Sequence, residues 1–151
     1  MTATAHAIIG TIIAAEVSNP LIAIPLSFLS HVPLDMVPHW DTGTERRKKS
    51  TQRLFIDTAI DLALGFILSY LIIFFIFPKT NPSYVFLMII SSQGLDWLTA
   101  PYYFFNLHVP PFSWFYKFQK MFNSDLGKPW GIISQALAVG LVLFSSILMG
   151  R

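Results

Sequence analysis

The chain contains no cysteine, and only 12% of its 151 residues are charged. The first absence excludes disulfides, thiolate metal sites and a cysteine nucleophile, leaving His, Asp, Glu, Ser and Tyr for any chemistry. The second argues against an ordinary soluble domain, where roughly 25% of residues are charged. Also missing are a phosphate-cradling glycine loop, a Gly-x-Ser-x-Gly elbow and a His-Glu-x-x-His helix, so most familiar hydrolase mechanisms have no counterpart here. Met1-Thr-Ala-Thr-Ala-His6 lacks the basic flank of a secretory signal, so the first apolar segment is expected to be retained. No internal repeat or low-complexity stretch interrupts the chain.

What the chain has in abundance is apolar surface: 54% of its residues are hydrophobic and its mean hydropathy is +0.57. Five apolar stretches occur, at residues 3–17, 20–37, 54–77, 84–100 and 130–149. Most approach the roughly 20 helical residues that a hydrocarbon layer requires. These features predict an all-α, polytopic transmembrane helical bundle of about five spans, forming a single integral membrane domain over residues 1–151. The first two spans are the shortest, and they make either two short crossings or a re-entrant hairpin. Residues 102–128 are aromatic and mildly basic, as expected of a segment lying in the interface.

The sequence pI near 9.0 could suggest nucleic acid. The basic residues sit beside apolar spans, however, where anionic lipid headgroups account for them better. Membrane lipid is therefore an expected partner and nucleic acid is not. A homo-oligomer or a partner membrane protein is compatible with the same pattern. Arg46, Arg47, Lys48, Lys49, Arg53, Lys117, Lys120 and Lys128 fall in the loops on one side, against Lys79 and Arg151 on the other. Cytoplasmic loops carry the excess of Lys and Arg, so the N-terminus is expected in the cytoplasm and the C-terminus outside.

Ionisable residues within spans are costly, about 2.5 to 3.5 kcal/mol each at a helix centre, and so point to function. Here they are His6, His31, Asp35, Asp57, Asp61 and Asp96, with His39 at a span end. Each lies near the cytoplasmic end of its span in a topology derived from Lys and Arg alone. His31, Asp35 and His39 recur at i, i+4 and i+8, and Asp57 and Asp61 at i and i+4, so each set shares a helical face. Glu16 lies near the opposite face. His108 and Asp125, in the interfacial segment, are not expected to join the core set. No Lys or Arg lies inside these spans to compensate the four carboxylates. Protonation, histidinium, Arg53 one turn before Asp57, or a bound cation must do so. His and carboxylate together suit zinc, manganese or iron.

Three runs carry a family resemblance: Thr4-x-His6-x-x-x-Gly10, Ser30-His31-x-x-Leu34-Asp35-x-x-Pro38-His39-Trp40-Asp41, and Trp130-Gly131-x-x-x-Gln135. The set resembles small bacterial membrane proteins related to the YdjM-like inner-membrane metal-dependent hydrolases. The resemblance implies a helical fold in the bacterial cytoplasmic membrane, a metal-dependent activity, and ligands at His6, His31, Asp35 and His39. The chain departs from that family in having no clean Pro-Asp-x-Asp-His element and no later His-Arg-Gly-x-Thr-His-Ser element. The likeness thus carries a metal-site membrane protein further than any named reaction.

Three functions follow from these residues. The first is a membrane-embedded metal-dependent hydrolase acting on lipid phosphate or ester. It would hold a divalent metal ion on His6, His31, Asp35, His39 and Asp96, with Asp57 or Asp61 as base or further ligand. The second is a proton- or cation-coupled transporter, opposed by the apolar outer halves of the spans. The third is a non-enzymatic scaffold in which a structural metal or a hydrogen-bonded His/Asp clasp holds a partner-binding surface together.

Overall fold

The computed structural model describes residues 1–44 and 46–149, apart from the side chain of Arg47. The charges counted at Arg47 and Arg151 lie outside the described residues. The described chain is all helical: α1 (Ala3–Glu16), α2 (Pro20–Leu29), α3 (His31–Met36), α4 (Thr51–Phe75), α5 (Pro82–Ser92), α6 (Gly94–Phe104), α7 (Phe112–Phe122) and α8 (Trp130–Met149).

Helix α1 is the centre of the bundle. The Thr2 side chain caps it by accepting from the Ala5 N–H, satisfying one of the donors that a helix start leaves open. Helices α2, α4, α5 and α8 pack around it, burying Ala5, His6, Ala7, Ile9, Gly10, Thr11, Ile12 and Ala14. Small residues let these backbones approach closely. A Cβ at Gly10 would stand 2.6 Å from the Met88 carbonyl oxygen and 2.9 Å from Ser92 Oγ. Only glycine therefore permits α5 to lie so near α1.

Among the described residues, two helices, α4 and α8, are long and apolar enough to cross a membrane. Only 22% and 17% of their most apolar stretches are buried, whereas the core helix of a soluble domain would be mostly covered. Phe55, Ile60, Ile67 and Phe74 on α4, and Leu137, Leu141, Phe144 and Leu148 on α8, all point outward. A contiguous apolar exterior of this kind is unusual for a soluble monomer.

The predicted spans at 20–37 and 84–100 are not continuous helices. The first divides at Ser30 into α2 and α3, because Pro33 has no N–H to bond the Leu29 carbonyl. The second divides at Gln93 into two 11-residue helices, at the small and polar run Ser91-Ser92-Gln93-Gly94. Each polar step is short and flanked by apolar residues, so a hydropathy profile averaged over a span bridges both breaks. At about 1.5 Å per residue, the 14 residues of α1 cover only about 21 Å. Among the described residues, the expected spans at 54–77 and 130–149 are the ones that form single helices long and apolar enough to cross a membrane.

Polar contacts gather at one end of the bundle. Asp61 of α4 accepts from the Ala3 N–H at 2.7 Å and the Thr4 N–H at 3.1 Å. Gln93 Nε2 donates to the Ala3 carbonyl at 3.0 Å. The Gln135 amide of α8 donates to the Trp40 carbonyl at 3.0 Å and accepts from Thr2 Oγ1 at 3.1 Å. Gly131 explains the first half of the Trp130-Gly131-x-x-x-Gln135 run. A Cβ there would meet Leu126 O at 2.2 Å, Trp40 N at 2.5 Å and the His39 carbonyl carbon at 2.8 Å. The other end of the bundle is tied by Ser146 donating to Glu16, and by the Tyr84 hydroxyl donating to the Val17 carbonyl at 2.7 Å.

Helix α7 has no fully buried residue and rests on α6 and α3. Phe112, Phe115, Tyr116 and Gln119 form its half-buried inner face, while Trp114, Lys117, Phe118 and Met121 are exposed. This matches the amphipathic pattern expected for the interfacial segment.

Candidate metal centre

The polar end of the bundle contains a buried cluster built from three helices. His6 comes from the first turns of α1, His31 and Asp35 from one face of α3, and Asp96 from the start of α6. His6, His31 and Asp35 are essentially inaccessible, and Asp96 is half-exposed. Asp35 lies between the two imidazoles, with His6 Nε2 3.2 Å from Oδ1 and His31 Nε2 3.2 Å from Oδ2. His31 Nε2 is also 3.5 Å from Asp96 Oδ1. One donor atom each from His6, His31 and Asp96 lies within 4.8 Å of the others.

The break between α5 and α6 serves this cluster. Ser92 ends α5, and its carbonyl oxygen accepts from His31 Nδ1 at 2.9 Å. With its proton on Nδ1, His31 presents the Nε2 lone pair to Asp35 and Asp96, the arrangement that orients metal-binding imidazoles. Gln119 of α7 adds a bridge, donating from Nε2 to His31 Nε2 at 3.2 Å and to Asp96 Oδ1 at 2.8 Å. Sequence reading missed Gln119. Its register with Phe112 and Phe115 on the inner face of α7 was the available signal.

Close approach without hydrogen-bond alignment is the main chemical feature. Both His6 nitrogens and Asp35 Oδ2 are buried without a hydrogen-bond partner, although His6 Nε2 and Asp35 Oδ2 each have an oppositely typed atom at 3.2 Å. Buried polar atoms are rarely left so. Donor atoms sharing one ion at about 2.0 to 2.2 Å would stand about 3.3 to 3.5 Å apart in tetrahedral geometry. The separations of 3.2 to 3.5 Å lie close to that spacing, and the donor types fit zinc, manganese or iron. The His6 and His31 rings stack in parallel, 3.8 Å apart and 3° from coplanar. The Met1 amino group donates to Asp35 Oδ1.

His39 does not join this group. Its Nδ1 bonds the Val37 carbonyl at 2.7 Å, and its Nε2 faces Asp41 Oδ2 at 3.8 Å. Its donor atom forms a second cluster, again within 4.8 Å, with those of Asp41 and Asp125. Burial opposes ionisation of Asp41. The nearby His39 imidazole, the Met1 ammonium and the Thr44 hydroxyl outweigh it and hold the carboxyl below its usual range.

Asp57 and Asp61 also lie apart from the histidines. Asp57 is paired with Lys49 at 3.1 Å and Arg53 at 2.9 Å. Asp61 caps α1, accepting additionally from Thr4 Oγ1 at 2.6 Å. These partners account for two of the four carboxylates that lacked compensation in the sequence. Both residues line a different cavity, about 600 Å³, shared with Trp40, Lys49, Arg53 and Lys128. His108 packs on Tyr102, ring centroids 4.4 Å apart, outside either cluster.

The chain matches no protein-family profile, no curated protein and no solved structure.

Proposed function

We propose that the protein is a metal-dependent hydrolase of the bacterial cytoplasmic membrane. The YdjM-like resemblance points the same way. The observation that carries this reading is the buried approach of His6 Nε2 and His31 Nε2 to Asp35 at 3.2 Å, in which both His6 nitrogens and Asp35 Oδ2 lack a hydrogen-bond partner, with Asp96 at the edge. A divalent ion held by His6, His31, Asp35 and Asp96 would supply Lewis acidity toward a phosphoryl or acyl oxygen and an activated water.

The chain's own residues set the rest. The Ser92 carbonyl fixes the tautomer of His31, and Gln119 holds the Asp96 carboxylate in place. Asp96 is the accessible member of the set, so water and substrate reach the cluster from the side where α6 meets α7. The aromatic and basic segment at residues 102–128 lies on that side, which suits a lipid phosphate or ester presented from the cytoplasmic leaflet. Asp57 and Asp61 do not act as base in this reading, since ion pairs and helix capping occupy them. We place α4 and α8 as full crossings, with the broken helices completing a bundle of about five passes around the site, the N-terminus inside and the C-terminus outside. Irregular backbone at membrane depth is tolerated where protein buries it.

The test is hydrolysis of phosphatidate and of a neutral lipid ester in mixed micelles by metal-loaded protein. Turnover that is lost on chelation, and absent in His31→Ala, supports the reading. Metal-independent turnover, or none with any lipid phosphate or ester, rejects it.

A second reading rests on the Met1 contact with Asp35. There the amino group and the two imidazoles form a clasp that only holds the helices together, and the protein is a scaffold. Under that reading metal changes neither stability nor activity.

A further inference from the structure

We infer that His39, Asp41 and Asp125 form a second divalent-cation site, separate from the His6, His31, Asp35 and Asp96 cluster. Short backbone bonds bring these residues together. The His39 N–H donates to the Ser124 carbonyl at 3.0 Å, and the Leu126 N–H donates to the His39 carbonyl at 2.7 Å. His39 and Asp125 thereby pair as a single parallel bridge, and Ser124 N–H donates to the Asp35 carbonyl at 2.9 Å. Gly131 allows the start of α8 to close against the same backbone.

The side chains are then arranged as donors to something not supplied by the chain. His39 is fully buried, its Nδ1 is used by the Val37 carbonyl, and its Nε2 has no hydrogen-bond partner. An imidazole fixed through Nδ1 with Nε2 left open is the orientation used for a metal ion. Asp41 keeps Oδ1 for the Thr44 hydroxyl at 2.8 Å and turns Oδ2 toward His39. Asp125 is held by Asn123 Nδ2, 2.8 Å from its Oδ1, and is exposed. One donor atom from each of the three lies within 4.8 Å of the others. One imidazole and two carboxylates suit zinc, manganese or iron, and the exposed Asp125 leaves the site open on the solvent side. An ion there would cross-link the chain after α3 to the segment joining α7 to α8.

The experiment is a zinc titration of the full-length protein in detergent, by calorimetry with elemental analysis, for the wild type and for Asp125→Asn, His39→Ala and His31→Ala. Two zinc ions per chain are expected. Asp125→Asn, an exposed change that leaves the buried core intact, should weaken one of them at least tenfold, and His39→Ala should abolish that same ion. His31→Ala should remove the other and leave this one. The inference is overturned if Asp125→Asn and His39→Ala leave zinc number and affinity unchanged, or if the wild type binds one ion that only His31→Ala removes. Loss in Asp125→Asn with no loss in His31→Ala would uphold this site and reject the first.

Discussion

Replacing Asp35 by Asn separates a metal centre from a hydrogen-bonded clasp, because it keeps the volume of the side chain and removes its charge. Asp35 is 1% exposed and sits 3.2 Å from both imidazoles. In a His39→Ala background, where only the His6, His31, Asp35 and Asp96 site can fill, free zinc at one hundred times its dissociation constant stabilises the folded state by about 2.7 kcal/mol. For a chain of this size each kcal/mol moves the melting temperature by about 2 to 4 °C, so the zinc-induced rise should be about 5 to 10 °C. Removing even an outer partner of a metal site weakens binding about 10- to 100-fold. A hundredfold loss brings the same zinc concentration down to the variant's dissociation constant, where the gain is about 0.4 kcal/mol, or about 1 °C. The variant's metal-free melting temperature also falls, since the contact with Met1 is lost, so the readout is the zinc-induced shift and not the melting temperature itself. Thermal unfolding followed by the fluorescence of the four tryptophans provides it. A His39→Ala protein indifferent to zinc, or an equal shift once Asp35→Asn is added to it, would refute the reasoning.

The other expectations concern the supports of the site. Asp61→Asn should cost about 1 to 2 kcal/mol of stability through loss of the α1 cap and leave zinc stoichiometry unchanged; a lost ion would return Asp61 to the ligand set. Gly131→Ala should destabilise the protein by about 1 to 3 kcal/mol, since its Cβ would meet three backbone atoms, and a melting temperature equal to wild type would contradict that. Gln119→Leu should weaken zinc about 10-fold or more while the fold persists, as read by calorimetry and circular dichroism. Because the chain has no cysteine, single cysteines at Ser50 and Thr80 report topology. An impermeant maleimide added to intact cells should label the Thr80 variant and spare the Ser50 variant, and the reverse pattern would invert the orientation.

Much of the helical organisation was legible because it rests on apolar length. The expected span at 130–149 is helix α8, and 54–77 differs from α4 by a few residues at each end. The divisions at Ser30 and Gln93 fall at short polar steps, Ser30-His31 and Ser91-Ser92-Gln93-Gly94, too brief to split an apolar stretch in a hydropathy reading. The second division carries chemistry, since it frees the Ser92 carbonyl for His31. The grouping of His6, His31, Asp35 and Asp96 at one end was expected from loop charge and helical spacing. His39 was placed with them because it follows Asp35 at i+4. The helix ends at Met36, so that spacing no longer holds and His39 turns to Asp41 and Asp125. Asp57 and Asp61 share a face as expected, but their partners, Lys49 and the open N–H groups of α1, come from elements whose positions no local pattern encodes.

Metal content of the protein purified without added metal or chelator is the most direct test of a metal centre at the polar end of the bundle. Elemental analysis should find a transition metal in stoichiometric amount, reduced in His31→Ala and in Asp35→Asn. A well-folded wild type carrying no metal, and taking up none when zinc is supplied, would contradict the account and leave the clasp.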